Sequence, residues 1–216
     1  MIATGLLCLC GAGAASVAAA AWSVTDDLGQ VLVLARPAQR IVSLAPGATA
    51  MLFAAGAGAR VIGTANYSDE PEAARGIPRI GDSQGFDLER VLALQPDVVV
   101  VWSGGTSQAS IEQLQRRGLR VYRHQAAALA DIPQSIRRLG TLAGTASVAD
   151  AAAGELTRRI GALRLRHAPG GSERQVLLQV WGQPLYTVGG TQLLSDALEY
   201  CGYHNAYAEL RDAGPA

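Results

Sequence analysis

Three places in this 216-residue chain pair side chains able to hold a ligand with small or glycine neighbours. They are Tyr67, the run Ser83-Gln84-Gly85, and Trp102 followed by Gly104 and Gly105. Tyr67 and Trp102 each offer a large flat face with one polar tip, suited to gripping a broad, partly apolar ligand without covalent chemistry. The competing reading makes Trp102 a plug at the end of a hydrophobic strand and Tyr67 a loop anchor. Signatures of catalysis are weak, since neither a phosphate loop with lysine nor H-E-x-x-H occurs. His124, His167 and His204 lack metal-ligand spacing and read as structural or surface residues, so no catalytic residue and no metal is assigned. Asp69 and Glu70 read as a solvated pair. Glu89 follows Asp87 by two residues, where a negative charge favours a helix dipole; as an exposed acid near an open rim it could also dock an arginine of a partner protein.

The elements that would position these residues are legible from periodicity. Arg40 to Leu44, Val61 to Ala65 and Val98 to Trp102 read as buried strands, with Arg79-Ile80 a short one and Leu119 to Tyr122 another. Four consecutive valines from Val98 imply a strand covered on both faces, as in a parallel sheet. Helices are predicted through Met51 to Gly56, from Asp87 through Leu94, over 108–117 and over 131–142. Trp22 to Leu34 reads as an edge hairpin turning at Asp26 to Gly29. In an open parallel sheet, ligands bind beyond the carboxyl ends of the strands, and Tyr67, Gly85 and Trp102 each close or follow a predicted strand.

The longest predicted helix runs from Thr145 to His167. Val148, Ala152, Leu156, Ile160 and Leu163 make its apolar stripe, Ser147 with Asp150 a capping box, and Pro169-Gly170-Gly171 its stop. Strand-and-helix patterns on both sides suggest that it joins two lobes. Beyond it, 175–180 and 185–188 read as strands and 192–200 as a helix. That is too little for a core of its own, so the second lobe reads as incomplete. The expected organisation is residues 1–21 as a signal peptide, 22–39 a hairpin, 40–145 an α/β lobe, 146–168 the connecting helix and 169–216 a partial second lobe.

Hydrophobic residues make up 49% of the chain, charges balance at 18 of each sign, and every basic residue is arginine. With no basic run, nucleic acid and anionic membrane surfaces are not expected partners. Residues 2–21 carry no charge and end in small residues, the pattern of a secretory signal, with a retained or lipid-linked membrane anchor as the alternative. Cys201 is the cysteine left after cleavage; a buried thiol, an intermolecular bond or a partner missing from this chain would each account for it.

The text from Arg40 to Gly105 resembles the periplasmic binding proteins for vitamin B12 and iron-siderophores that serve ABC importers. It is carried by Arg40 to Pro46, Asn66-Tyr67-Ser68-Asp69 with Pro71, Gln84 to Arg90, Gln95-Pro96-Asp97 and Trp102 to Gly105, with thinner similarity through Gln179 to Gly189 and at Cys201-Gly202. The resemblance implies two α/β lobes with parallel sheets joined by one long helix, a corrinoid gripped between them, no cofactor and no catalysis. Tyr67 and Trp102 look like aromatics that pack on the corrin, Tyr186 and Trp181 like second-lobe pocket aromatics, and Glu89 like the acid that docks on the membrane permease. It further implies a periplasmic monomer, with ferric siderophore or haem as alternative cargo. A small α/β enzyme or sensor domain is the rival from another class. Departures are Ser83 where the cobalamin pattern has a tryptophan, Ala50 where an acid is common, and the lack of a later cysteine to pair with Cys201.

Overall fold

A computed structural model describes residues 21–82, 85–166, 174–210 and 214–215. Of residues 1–21, read as a signal peptide, 1–20 lie outside that set. The first lobe is built on a four-stranded parallel sheet in the order β4-β3-β5-β6, where β3 is Ile41–Ser43, β4 Val61–Thr64, β5 Val98–Trp102 and β6 Val121–His124. The four valines of β5 are fully buried because helices cover both faces. Val98 and Val100 pack with residues of α1 (Pro46–Ala54), α4 (Asp131–Ala143) and α5 (Ala146–Arg166). Val99 and Val101 pack with Val91 of α2 (Leu88–Ala93) and with Ile111 and Leu114 of α3 (Gln108–Arg116). The strand β6 sits two residues later than predicted, and Leu119 packs against the core from the turn before it. Of the short strand at Arg79, one bridge to Thr64 forms.

The N-terminal hairpin, β1 (Trp22–Thr25) with β2 (Val31–Leu34), is more than the expected decoration. Val24, Leu32 and Leu34 enter the main core, and Trp22 Nε1 donates to the Thr141 carbonyl at 2.9 Å. Asp27 N–H donates to the Arg123 carbonyl, and Arg123 N–H donates to Asp26 Oδ2, so the hairpin turn covers the free edge of β6. Asp27 is the centre of this joint, with a side chain 1% exposed. Its Oδ1 accepts from Tyr122 OH (3.0 Å) and Arg138 (3.1 Å), and its Oδ2 accepts from Ser135 Oγ (2.9 Å) and Gln125 N–H (3.1 Å). His124 Nδ1 lies 2.7 Å from Oδ2. Burial alone would raise the Asp27 pKa, but the bonds from His124, Gln125 and Arg138 together with the His124 charge outweigh it and hold it at about 2. Burial first, and then the Asp27 charge, push the Tyr122 phenol up, so it stays a donor.

The turn from α4 to α5 is made by Gly144, whose φ of 70° belongs to the left-handed region that suits glycine. Thr145 N–H then closes back on the Gly140 carbonyl at 2.7 Å. Because α5 starts at Ala146, Ser147 lies inside it and the expected capping box does not form; Asp150 instead pairs with Arg137 at 3.4 Å. The buried stripe departs from the predicted one at its first and last positions. Ala149, Ala153 and Ile160 are buried and Ala152 and Leu156 partly so, whereas Val148 and Leu163 are exposed. Two helices approach closely here, with Ala149 against Gly140, and only small side chains fit that contact. At about 1.5 Å per residue α5 is a rod of roughly 30 Å leading out of the first lobe. Among the described residues no helix is long and apolar enough to cross a membrane.

After α5 come β7 (Arg174–Val176), β8 (Gln179–Trp181), β9 (Tyr186–Thr187), α6 (Leu193–Tyr200), β10 (Tyr203–Asn205) and β11 (Gly214–Pro215). The single strand expected over 175–180 divides in two because β7 pairs with β10 while β8 pairs with β9, in different sheets. Among the described residues of the second lobe the β7–β10 pair is parallel and β8-β9-β11 is antiparallel, so part of the second lobe departs from the parallel sheet expected. Asn205 Nδ2 ties this lobe together through the Val188 carbonyl and Ser195 Oγ, both at 2.7 Å.

The depressed Asp27 pKa means that its contribution is complete above the ordinary value of 3.8 and is lost as pH falls through about 2. Asp27→Asn should cost about 2–4 kcal/mol at neutral pH and remove roughly 2 kcal/mol of the acid-dependent loss seen in the parent, read by denaturant melts at pH 6 and at pH about 2.

Candidate functional site

The carboxyl ends of β3, β4 and β5 form an open rim, and the chain builds its loops there with an unusual density of staples. Ser43 at the end of β3 accepts from Thr49 Oγ1 at 2.9 Å, and Thr49 reaches Ser68 Oγ at 3.3 Å, all three residues being buried. On the other side Arg79 donates to Thr64 Oγ1 (2.7 Å) and to Asp69 Oδ1 (2.9 Å). Asn66 N–H donates to the Gly81 carbonyl at 2.6 Å. Asp69 and Glu70 are both solvated, as expected, but Asp69 also makes a loop-fixing ion pair with Arg79, and Glu70 faces Arg75 at 3.8 Å.

Between these staples sits Tyr67, with φ of 62° and a side chain 82% exposed. A tyrosine in the left-handed region costs of order 1–3 kcal/mol and persists only where its surroundings impose it. Here the bonds at Asn66, Ser68 and Asp69 impose it, and they hold an aromatic ring out in water. The loop-anchor reading of Tyr67 is not met, because the neighbours do the anchoring.

Trp102 ends β5 and is 42% exposed, so it is not a buried plug either. Its carbonyl accepts from Gly105 and Thr106, and Ser103 N–H donates to the His124 carbonyl at 3.0 Å, which ties the rim to β6 and the Asp27 cluster. The indole lies over Gly104; a Cβ there would stand 2.9 Å from Cε2, Cζ2 and Nε1. The strands leading to Tyr67 and Trp102 are separated by β3, which puts the two chain paths about 10 Å apart along the rim.

Gly85 is exposed in the turn after Gly81, with its N–H donating to Asp82 Oδ1 at 3.1 Å, while Ser83 and Gln84 lie outside the described residues. Glu89 is exposed in the first turn of α2, behind the cap made by Asp87 accepting from Arg90 N–H. In the second lobe Trp181 and Tyr186 are register partners across β8 and β9, which sets them side by side on one face, 66% and 37% exposed. Cys201 is a free, exposed thiol. The sequence reading missed Ser43, Thr49, Ser68 and Arg79, whose bonds join residues too far apart in the chain for spacing to reveal.

Residues 41–215 match the model of the periplasmic binding protein family. The chain belongs to that family. It is 37% identical over 174 residues to the vitamin B12-binding protein of Pectobacterium carotovorum, covering 79% of this chain and 62% of that protein. It is 32% identical over 181 residues to the vitamin B12-binding protein of Yersinia pestis, covering 84% of this chain and 64% of that protein. The chain thus spans less than two thirds of the length of these relatives. Among solved structures it is similar to the periplasmic vitamin B12 binding protein of Vibrio cholerae, with a TM-score of 0.77 at 28% identity over 83% of this chain and 71% of that one. A periplasmic haem-binding protein of Roseiflexus shares the fold, with a TM-score of 0.73 at 23% identity over 82% of this chain and 70% of that one. These likenesses bear out the two-lobed α/β fold with a long connecting helix.

Gly104→Ala should displace the indole of Trp102 with a stability change below about 1 kcal/mol, since the ring is free to swing into solvent. A shift in tryptophan emission with an unchanged thermal midpoint is the expected readout.

Proposed function

We propose that the protein is the solute-binding component of an ABC importer that captures cobalamin or a related corrinoid and hands it to a membrane permease, without catalysis. The observation that carries this reading is the pair of exposed rings, Tyr67 and Trp102, presented on one rim by a network that fixes the loops beneath them. A flat macrocycle laid against such rings exchanges apolar surface with water at little cost in ordering, because the loops are already set. Trp181 and Tyr186 supply a second aromatic wall from the far lobe. Gly85 is counted among the ligand-binding residues, and Ser83 and Gln84 are counted with it on their sequence position alone. The vitamin B12-binding relatives support corrinoid as the cargo, and their periplasmic family supports export through the N-terminal apolar segment. The protein acts as a monomer in this reading, and Glu89 is the docking acid for the permease.

Ser83, standing where the cobalamin pattern has a tryptophan, favours one second reading, a haem or ferric siderophore carrier of the same fold.

Calorimetry with cyanocobalamin and cobinamide should give micromolar or tighter binding, and binding only at millimolar ligand would contradict the corrinoid assignment; haemin and a ferric siderophore titrated alongside decide the second reading. Tyr67→Ala and Trp102→Ala should each weaken corrinoid binding about 10- to 100-fold, the loss expected for one buried aromatic face. Glu89→Ala should leave that affinity unchanged and lower uptake by cells that depend on the importer.

A further inference from the structure

The loop between β6 and α4 is held by carboxylates from three different elements. Gln125 N–H donates to Asp27 in the hairpin turn, and Ala127 and Ala128 N–H donate to Asp131 Oδ2 at 3.0 and 2.9 Å. The next donor crosses between lobes: Leu129 N–H reaches Asp196 Oδ2, in the first turn of α6, at 2.6 Å. At the other end of α6 the Arg164 guanidinium of α5 lies 5.8 Å over the Tyr200 ring. The helix α6 is therefore fastened twice, once to the first lobe and once to the connecting helix.

A lone helical connector fixes the distance along its own axis but leaves the second lobe free to rotate about its end. A contact off that axis removes the rotation, and an ionised acceptor for a partly buried backbone donor makes such a contact strong. We infer that Asp196 is the positioning residue that sets the gap between the lobes, acting with the Arg164–Tyr200 stack. Its bond to Leu129 lies in the loop that follows β6, the neighbour of the strand that ends in Trp102, so loss of the bond frees the second aromatic wall relative to the first. The consequence for corrinoid binding rests on the function proposed above; the latch itself does not.

The test uses Asp196→Ala and Asp196→Asn in the full chain. Amide exchange followed by NMR should show Leu129 exchanging at least about tenfold faster in Asp196→Ala, with Val100 in β5 unchanged, because one charge-assisted bond is lost and the core is not. Small-angle scattering should show a larger radius of gyration. Cyanocobalamin should dissociate about tenfold faster, while Asp196→Asn, which keeps a neutral acceptor of the same size, should change exchange and dissociation only about threefold. Unchanged Leu129 exchange overturns the latch, and faster exchange with unaltered scattering and affinity overturns its role in setting the gap. If Asp196→Ala does not fold, the Asp196→Asn exchange rate decides, with no change against the parent overturning the proposal. If the parent binds no cyanocobalamin, the carrier reading falls, and exchange and scattering still decide the latch.

Discussion

The burial of β5 on both faces is the constraint from which the rest of the first lobe follows. Val98 to Val101 tolerate no water on either side, so one helical layer must cover each face and the strand is open only at its ends. The sheet's free surfaces are then its two edges and its carboxyl rim. The hairpin closes the β6 edge through Asp26, Asp27 and Arg120, the last donating to the Val33 carbonyl at 2.9 Å. The rim remains, and there the chain places its exposed aromatics.

Two polar networks hold that rim in shape, and they differ in kind. Around Tyr67 the staples are hydroxyls and one partly exposed ion pair, each worth little alone, but together they impose a backbone conformation that tyrosine avoids by itself. Around Asp27 a single buried carboxylate collects five donors, and removing it would strand all of them. The first network aims a side chain. The second locks the hairpin, β6 and α4 into one body, from which the Leu129 contact reaches the other lobe.

Periodicity located the α-helices of the first lobe and the buried strands, because valine runs and apolar spacing report burial directly, but not the 3-10 turns Gly58–Arg60 and Glu72–Gly76. It misplaced the first residue of the α5 stripe, since Val148 is more apolar than Ala149 yet only a small side chain fits against Gly140 of α4. It read Asp26-Asp27 as turn residues and missed a buried joint, because a turn and a carboxylate meeting β6 some hundred residues later look the same in one dimension. The aromatics were legible as flat surfaces, whereas the hydroxyls and the arginine that fix their loops were not, being ordinary residues made special by long-range bonds. The division of 175–180 into two strands was equally hidden, since it depends on which sheet each half joins.

The central claim is that a flat ligand lies against rings already presented at the rim. A crystal structure grown with cyanocobalamin tests it most directly. The account predicts the corrin within about 4 Å of both Tyr67 and Trp102, with the backbone of Tyr67 still at positive φ. A corrin bound elsewhere on the molecule, or a Tyr67 loop that rebuilds itself to reach the ligand, would contradict it.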